Sequence, residues 1–303
     1  MLLIDGMMLV RRCHAKMDFL KNSKGQSTGL EFGFLRSIQS LQKKMPGHDV
    51  VICFDPRVSP KKSPHLEGYK GNRKPMPSEF YDRVDAFKKF LKSFYPIVEY
   101  KRAEADALLA LLSRDYPGPH YIYTNDDDLL QCISTVRQVF VLKSFESKLF
   151  VWDEAKVLEK YDVLPTSLPL LRAFIGDKSD NLMGIPRITR RYLAKLIRWK
   201  DAYNVGLKTF LEELKTADWS DKMRASIIQF IDEGNFWYNY ELMCLTAIDW
   251  TEDEEYPYPW LIPKVKLNRE YVVSKLQEWE IRTLKLCEPF LKELAATLTN
   301  EEF

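Results

Sequence analysis

The chain has 303 residues, of which 46% are apolar and 13% aromatic, and its 45 basic and 43 acidic residues leave a formal charge of +2. This composition excludes a disordered chain and a polycation, and the length predicts one large domain or two ordinary ones. Asp5 interrupts the apolar start, and no apolar run approaches the length of a membrane span, so we expect a soluble cytoplasmic protein. Five scattered cysteines and four histidines predict neither a disulfide framework nor a zinc cluster.

Short apolar segments that end in a polar residue alternate with helical patterns through the first half of the chain. Predicted strands lie at 2–4, 50–54 and 121–123, and predicted helices at 30–41, 80–94 and 103–112. This alternation is typical of a parallel sheet, so we predict an α/β core. Helical patterns at 167–175, 189–197, 210–214 and 222–233 predict a mainly helical second half, and a proline-containing stretch at 251–263 precedes a last helical region.

Acidic residues follow the predicted strand ends and helix starts, which is where open parallel sheets bind ligands. The candidate metal ligands are Asp5, Asp55, Glu104, Asp106, Asp126, Asp128, Asp177 and Asp180. Because carboxylates repel one another unless cations neutralise them, and because oxygen ligands favour hard cations, the set predicts two Mg²⁺ ions, for which Mn²⁺ can substitute. Two such ions about 3.5–4 Å apart would clamp the attacking and leaving oxygens of a phosphodiester, which predicts phosphoryl transfer to water.

Each acid also has a purely structural interpretation when it is taken singly. An aspartate that closes a strand commonly caps the next helix, and acids in the first turn of a helix suit its dipole. The spacing of the whole set through a predicted parallel sheet favours metal binding. We exclude Asp127, which lies between two candidate ligands and is expected to point the other way.

Two basic segments accompany these acids. Residues 56–75 contain six basic side chains and one acid, and residues 185–200 contain six basic side chains and no acid. Either segment alone would suit an ordinary solvated face. Two of them beside a predicted phosphodiester site are a first indication of function.

Six motifs follow one another along the chain. They are Leu3-Ile4-Asp5-Gly6, Cys53-Phe54-Asp55, Tyr69-Lys70-Gly71-Asn72-Arg73, Ala103-Glu104-Ala105-Asp106, Asn125-Asp126-Asp127-Asp128, and Ile175-Gly176-Asp177 continuing to Gly184-Ile185. In this order, over roughly residues 1–250, they resemble the flap endonuclease / 5′–3′ exonuclease family. That family includes the 5′-nuclease domain of bacterial DNA polymerase I and phage enzymes of the ribonuclease H type.

The resemblance implies a PIN-like α/β core with a central, mostly parallel sheet, a helical arch, and a helical C-terminal part that contains a helix-three-turn-helix. It places the core at 1–165, with the arch at about 57–100, the DNA-binding helices at 166–250, and a C-terminal helical extension at 251–303. The eight acids match the family's metal carboxylates, and Lys70 and Arg73 match its arch-base cations, which act catalytically on the scissile phosphate. The DNA-binding residues that it implies are Lys61, Lys62, Tyr69, Lys74, Arg187, Arg190, Arg191 and Lys195.

Three features depart from the family pattern. Ala107 stands where several members have a further aspartate, so one ion is expected to be held more by water. The hairpin after Gly184 lacks the second glycine that many members use near a phosphate or a K⁺ ion, which argues against potassium, and Arg187 is a candidate substitute. The segment between Asp55 and Tyr69 is short, so the arch is expected to be incompletely ordered without DNA.

The activity implied is metal-dependent hydrolysis of DNA at 5′ flaps, nicks or free 5′ ends, and of RNA–DNA hybrids as a further substrate, in replication or repair. We expect a monomer in a bacterial or phage-infected cell that binds no membrane and contacts replication proteins, if any, through its C-terminal region. Two alternatives remain open at this point. One is a PIN-class ribonuclease acting on single-stranded RNA, and the other is a non-catalytic DNA-junction binder.

Overall fold

A computed structural model describes residues 1–57, 76–146, 148–245 and 262–281. In chain order the elements are β1 (Leu2–Asp5), α1 (Gly6–Met17), α2 (Gly29–Lys44), β2 (Val50–Phe54), α3 (Ser78–Leu91), β3 (Ile97–Glu99), α4 (Ala105–Asp115), β4 (His120–Tyr123), β5 (Val139–Phe145), β6 (Lys148–Trp152), α5 (Glu154–Tyr161), α6 (Leu168–Ile175), α7 (Arg190–Ala202), α8 (Leu207–Thr216), α9 (Asp221–Asp232), α10 (Asn235–Met243) and α11 (Arg269–Glu278). Short 3₁₀ turns lie at Asp128–Cys132, Pro165–Ser167 and Lys178–Asp180.

The chain folds into two units. Of the described residues, unit 1 contains 1–57, 76–108 and 262–281, and unit 2 contains 109–146 and 148–245. These units do not follow the linear division at residues 165 and 250, which stays a prediction about functional regions. Six of the predicted functional residues lie outside the described residues, namely Lys61, Lys62, Tyr69, Lys70, Arg73 and Lys74.

Unit 1 is built on three parallel strands in the order β3, β2, β1. Every residue of β2 is buried, as expected of a parallel strand that is covered on both faces. Helix α3 buries Phe80, Val84, Phe87 and Leu91, which recur at helical spacing and so form one apolar face. The short strand β3 lies in the stretch assigned to the arch, but it pairs in parallel with β2 as part of the core.

Helix α11 contributes to the core of unit 1. Val272 and Leu276 are almost fully buried, and the Trp279 ring lies 4.7 Å from the ring of Phe90 and 5.9 Å from that of Phe87. The backbone N–H of Asn268 also donates to the carbonyl of Ser93. The described part of the C-terminal region therefore packs against α3 and forms part of the core.

Among its described residues, unit 2 combines three strands with the six helices α5 to α10 and the C-terminal part of α4. Strand β4 pairs in parallel with β5, and β5 pairs in antiparallel with β6. Helix α6 packs against both α7 and α10, and its Phe174 ring lies 4.7 Å from that of Phe236. The mostly parallel pairing and the helical second half confirm the predicted α/β class.

The sequence patterns did not identify α1, β3, β5, β6, α5 or α10, although the other described elements follow them closely. Within the ranges that the structure describes, no helix is both long and apolar enough to cross a membrane.

Candidate active site

Asp5 occupies the last position of β1 and caps the helix that follows. Its carboxylate accepts a 2.9 Å hydrogen bond from the backbone N–H of Met8, in the first turn of α1. Gly6 is required beside it, because a Cβ atom there would lie 2.8 Å from the carbonyl oxygen of Cys53 and from the Phe54 ring. The strand-to-helix turn therefore fixes the Asp5 carboxylate at the carboxyl end of the sheet.

Asp55 follows the end of the neighbouring strand β2 and bonds to the start of α4. Its Oδ1 accepts a 2.7 Å hydrogen bond from the backbone N–H of Ala105. Ala105 is flanked in sequence by two other predicted ligands, Glu104, which is buried, and Asp106, whose carboxylate accepts from the N–H of Ala107. One hydrogen bond thus brings the end of β2 to the acidic first turn of α4, within unit 1.

The buried thiol of Cys53 responds to the negative charge at these strand ends. Burial, followed by the charges of Asp5 and Asp55, raises the pKa of Cys53 well above its ordinary value. Both carboxylates are close enough to this side chain to oppose a further negative charge. The carboxyl end of the unit 1 sheet is therefore a region of negative potential.

In unit 2, a chain of hydrogen bonds orders the acids that follow β4. The N–H of Asp126 donates to the Thr124 hydroxyl at 3.1 Å, and the N–H of Asp128 donates to the Asp126 carboxylate at 2.8 Å. Gln131 donates to the carbonyls of Asp128 and Met243 at 2.7 and 2.8 Å. This amide therefore fastens the acidic turn to the end of α10.

Asp177 and Asp180 belong to a tight loop after α6. The N–H groups of Asp177 and Leu182 donate to each other's carbonyl, at 2.9 and 2.8 Å, and Asp180 is buried in the 3₁₀ turn between them. Gly176 has a φ of 77°, and a Cβ there would lie 2.4 Å from the backbone nitrogen of Gly184. The glycines of this motif therefore serve the close approach of two backbone segments.

Arg172, which sequence reasoning missed, joins the two acidic segments of unit 2. Its Nη1 lies 2.5 Å from Oδ1 of Asp128, and its Nη2 pairs with Oδ2 of Asp177. Burial alone would lower the pKa of this guanidinium, but the charges of Asp128 and Asp177 outweigh it and raise the pKa. The available signal was the single charged residue in the otherwise apolar segment Leu168–Ile175.

Asp127, which the sequence interpretation excludes from the ligand set, pairs with residues that are not candidate ligands. Its carboxylate pairs with Lys143, accepts a 2.5 Å hydrogen bond from the Tyr161 hydroxyl, and lies 3.2 Å from Nζ of Lys160. Burial alone would raise the pKa of Asp127, but the hydrogen bonds from Lys143 and Tyr161 lower it well below its ordinary value.

The donor atoms suit a hard divalent cation, although neither unit forms a complete cage for one. Among the described residues, no group of three or more His, Cys, Asp or Glu side chains is placed to hold a metal ion. The candidate ligands are nevertheless all carboxylates, whose oxygens Mg²⁺ and Mn²⁺ favour, and the unit 2 group already binds one cation, the Arg172 guanidinium. The chemistry of the donor set therefore fits the predicted ions.

The second basic segment forms an exposed face of α7. Arg190, Arg191 and Lys195 are exposed, whereas Leu193 and Ile197 on the same helix are buried. The Arg190 guanidinium lies 4.9 Å from the centre of the Tyr161 ring and donates to the carbonyl of Lys160. Arg187 is exposed in the preceding turn and has a left-handed φ of 61°, the conformation that a glycine adopts readily.

Comparison with known proteins identifies relatives of similar sequence. A 5′-3′ exonuclease of Buchnera aphidicola is 30% identical over 204 residues, which are 65% of this chain and 65% of the relative. A 5′-3′ exonuclease of Aquifex aeolicus is 32% identical over 187 residues, or 60% of this chain and 63% of that protein. DNA polymerase I of Mycobacterium leprae is 33% identical over 205 residues, which are only 22% of its length. The chain thus matches just under two thirds of the length of the two exonucleases.

Two solved structures share the fold. The D15 protein of bacteriophage T5, co-crystallised with metal ions, superposes with a TM-score of 0.63 at 18% identity, over 80% of this chain and 89% of the phage protein. The catalytic core of Rad2 in complex with DNA substrate gives a TM-score of 0.55 at 14% identity, over 92% of this chain and 86% of that core. These likenesses confirm the predicted PIN-like α/β architecture.

The family itself is shown by the sequence. The family described as 5′-3′ exonuclease, N-terminal resolvase-like domain, matches residues 1–162, which is more than half of the chain and includes the first six of the eight candidate ligands. The motif order predicted the same assignment. The chain therefore belongs to the 5′–3′ exonuclease family.

Proposed function

We propose that the protein is a divalent-metal-dependent, structure-specific 5′ nuclease that hydrolyses DNA phosphodiesters and leaves a 5′-phosphate and a 3′-hydroxyl. The observation that carries the proposal is the hydrogen bond from Ala105 to Asp55, which joins the acidic end of β2 to the acidic first turn of α4. Asp5 closes the parallel strand beside β2. In a member of this family, such an arrangement supports phosphodiester hydrolysis.

The two groups of acids would hold two ions, Mg²⁺ or, as a substitute, Mn²⁺. Asp5, Asp55, Glu104 and Asp106 supply ligands from unit 1, and Asp126, Asp128, Asp177 and Asp180 supply them from unit 2. When bound, such ions supply the positive charge that activates a water molecule and offsets the charge on the leaving oxygen. The metal ions in crystals of the T5 D15 protein support this requirement. A further K⁺ ion at the hairpin is disfavoured by Arg187 in the place of a glycine.

The basic residues would hold the nucleic acid by its phosphates. Arg187, Arg190, Arg191 and Lys195 would contact the duplex without reading bases. Lys61, Lys62, Tyr69 and Lys74 would guide the single-stranded 5′ end, and Lys70 and Arg73 would act on the scissile phosphate. We propose a 5′ flap, a nick or a free 5′ end as the substrate, with RNA–DNA hybrids as a further one. The DNA bound to the Rad2 core supports a DNA substrate.

The decisive experiment is cleavage of a 5′-labelled flap and of a matching nicked duplex, with Mg²⁺, with Mn²⁺ and with a chelator. We expect short 5′ products that require the metal, and their lengths will separate flap incision from stepwise trimming. Asp128→Asn should abolish the products. Asp221→Asn is the matched control, because Asp221 is fully exposed at the start of α9 and is not a candidate ligand.

The same assay distinguishes the alternatives. Preference for plain single-stranded RNA over the flap would favour a PIN-class ribonuclease, which requires neither the arch nor the basic hairpin. Tight, metal-independent binding without any product would favour a DNA-junction binder. Wild-type cleavage by Asp128→Asn in Mg²⁺ would contradict the metal assignment.

A further inference from the structure

Arg172 is the single charged side chain of an otherwise apolar helix, and it lies between two candidate metal ligands. Six of the eight residues of α6 are buried and apolar. The Arg172 side chain is only 15% exposed, and its two terminal nitrogens pair with Asp128 and Asp177, which are 15% and 19% exposed. Two carboxylates that hold a buried guanidinium form a strong binding site for a cation. This arrangement therefore indicates a specific role for the charge of Arg172.

The Asp128 backbone and the Asp177 carboxylate are held by contacts that do not involve Arg172. The N–H of Asp128 bonds to Asp126, and its carbonyl accepts from Gln131. The carboxylate of Asp177 accepts from the N–H and the hydroxyl of Ser179, both at 2.7 Å, and its backbone pairs with Leu182. The long arginine side chain can therefore leave by rotation about its own bonds while the turns that carry Asp128 and Asp177 keep their backbone positions.

The guanidinium and a metal ion would compete for the same oxygen atoms. Arg172 pairs with Oδ1 of Asp128 and Oδ2 of Asp177, and the other oxygen of Asp177 already accepts two hydrogen bonds from Ser179. Two positive groups in contact with the same oxygens repel each other strongly at low solvent exposure. A guanidinium stays protonated in proteins, so Arg172 cannot escape this competition by losing its proton.

We propose that Arg172 is an exchangeable counter-cation of the unit 2 acids, which a divalent ion must displace before it can bind Asp128 and Asp177. This inference rests on the proposed function, since it assumes that the acids bind metal. A consequence is that a divalent ion binds the unit 2 carboxylates more weakly than it would bind the same carboxylates without Arg172. The guanidinium in turn keeps the acids neutralised when no metal is bound.

The test is a titration of the full chain with Mn²⁺, in which electron paramagnetic resonance counts the free ion in the absence of DNA. Arg172→Gln should bind Mn²⁺ about tenfold more tightly or better, because the metal no longer breaks the ion pair with Asp128 and the charge-assisted hydrogen bond to Asp177. The gain should disappear in the double variant Arg172→Gln with Asp177→Asn, which assigns it to this group. Arg198→Gln, which removes an exposed ion pair of Arg198 with Asp162, should leave the affinity unchanged.

A second measurement uses the wild-type protein, in case Arg172→Gln does not fold. The Nε–H resonance of Arg172 in nitrogen-15 spectra, assigned by its loss in Arg172→Lys, should shift from a protected to a solvent-exposed position on addition of Mg²⁺. A resonance that stays unchanged while Mg²⁺ binds would overturn the inference, as would equal or weaker Mn²⁺ binding by Arg172→Gln. Absence of any saturable Mn²⁺ binding by both wild type and variant would overturn the proposed function itself, together with the inference.

Discussion

The Asp55 carboxylate accepts a 2.7 Å hydrogen bond from the backbone N–H of Ala105, fifty residues later in the chain. Asp55 therefore caps α4, with which it is not contiguous, whereas Asp5 caps α1, the helix that follows it directly. Both aspartates thus satisfy helix N–H groups while they direct carboxylate oxygens to the carboxyl end of the same sheet. Structural and functional interpretations of these acids are compatible.

Because Asp55 both caps α4 and is a candidate metal ligand, two substitutions of it should give different results. Asp55→Asn keeps an oxygen that can accept from Ala105, so stability should be nearly unchanged, but loss of the charge should lower metal-dependent cleavage about 100-fold or more. Asp55→Ala should lose the same activity and also about 1 kcal/mol of stability, because the N–H is left without its cap. Flap cleavage and thermal unfolding measure the two effects. Full activity of Asp55→Asn would contradict the assignment.

A second prediction concerns the acid stability conferred by Asp127. Because its pKa is lowered in the folded state, its contribution is fully present above the ordinary carboxyl pKa near 4 and is lost as the pH falls through the lower folded value. At pH 7, Asp127→Asn should cost about 1–2 kcal/mol of stability, because the largely covered Lys143 side chain loses its partner; the figure is discounted for the partial exposure of the pair. Thermal unfolding at pH 7, 5 and 3 should show the deficit shrinking towards low pH. A constant deficit would exclude this linkage.

A third prediction concerns Arg187, because two substitutions distinguish the effect of its left-handed backbone from the effect of its charge. Arg187→Gly should raise stability by about 0.5–1 kcal/mol, because relief of the positive φ exceeds the added freedom of the unfolded chain. Arg187→Ala should bring no such gain. Both variants should reduce the slope of DNA affinity against salt concentration by about one, as the loss of one phosphate contact requires. Denaturant unfolding and fluorescence anisotropy in a salt series measure these quantities, and an unchanged slope would remove Arg187 from the DNA contacts.

A fourth prediction separates the two basic segments. Lys70→Ala should slow cleavage far more than it weakens binding, if Lys70 acts on the scissile phosphate. Arg190→Ala should mainly weaken binding and flatten its salt dependence, because Arg190 lies on the exposed face of α7. Single-turnover cleavage and equilibrium binding of the same flap give both values. Equal effects of the two substitutions on turnover would contradict this division.

The sequence predicted most of the fold because its strongest patterns are local. The run at 50–54 is apolar throughout and becomes the buried strand β2, and the helical spacing from Phe80 onward becomes α3. Strand β3 has only three residues, which is too short for a periodic pattern, and pairing with β2 decides its structure. Elements of this kind depend on neighbours that are distant in the chain.

The sequence also predicted part of the candidate site. The acids could be named because strand ends and motif order are visible in one dimension. The ion pairs of Arg172 with Asp128 and Asp177 join two segments, and no rule of sequence spacing predicts that these segments lie close together. The left-handed φ of Arg187 was equally hidden, since only the turn geometry shows that an arginine has taken a conformation suited to glycine.

The packing of α11 against α3 has a consequence for the order in which the protein matures. Unit 1 buries Phe87 and Phe90 beneath Trp279, so its core is incomplete until that residue has left the ribosome. The described part of unit 2 ends at residue 245 and emerges earlier. Since chains fold progressively during synthesis, unit 2 can form before α11 is available to pack in unit 1. The strands that precede or contain the candidate ligands Asp5 and Asp55 are thus synthesised first, but the core around them is packed late.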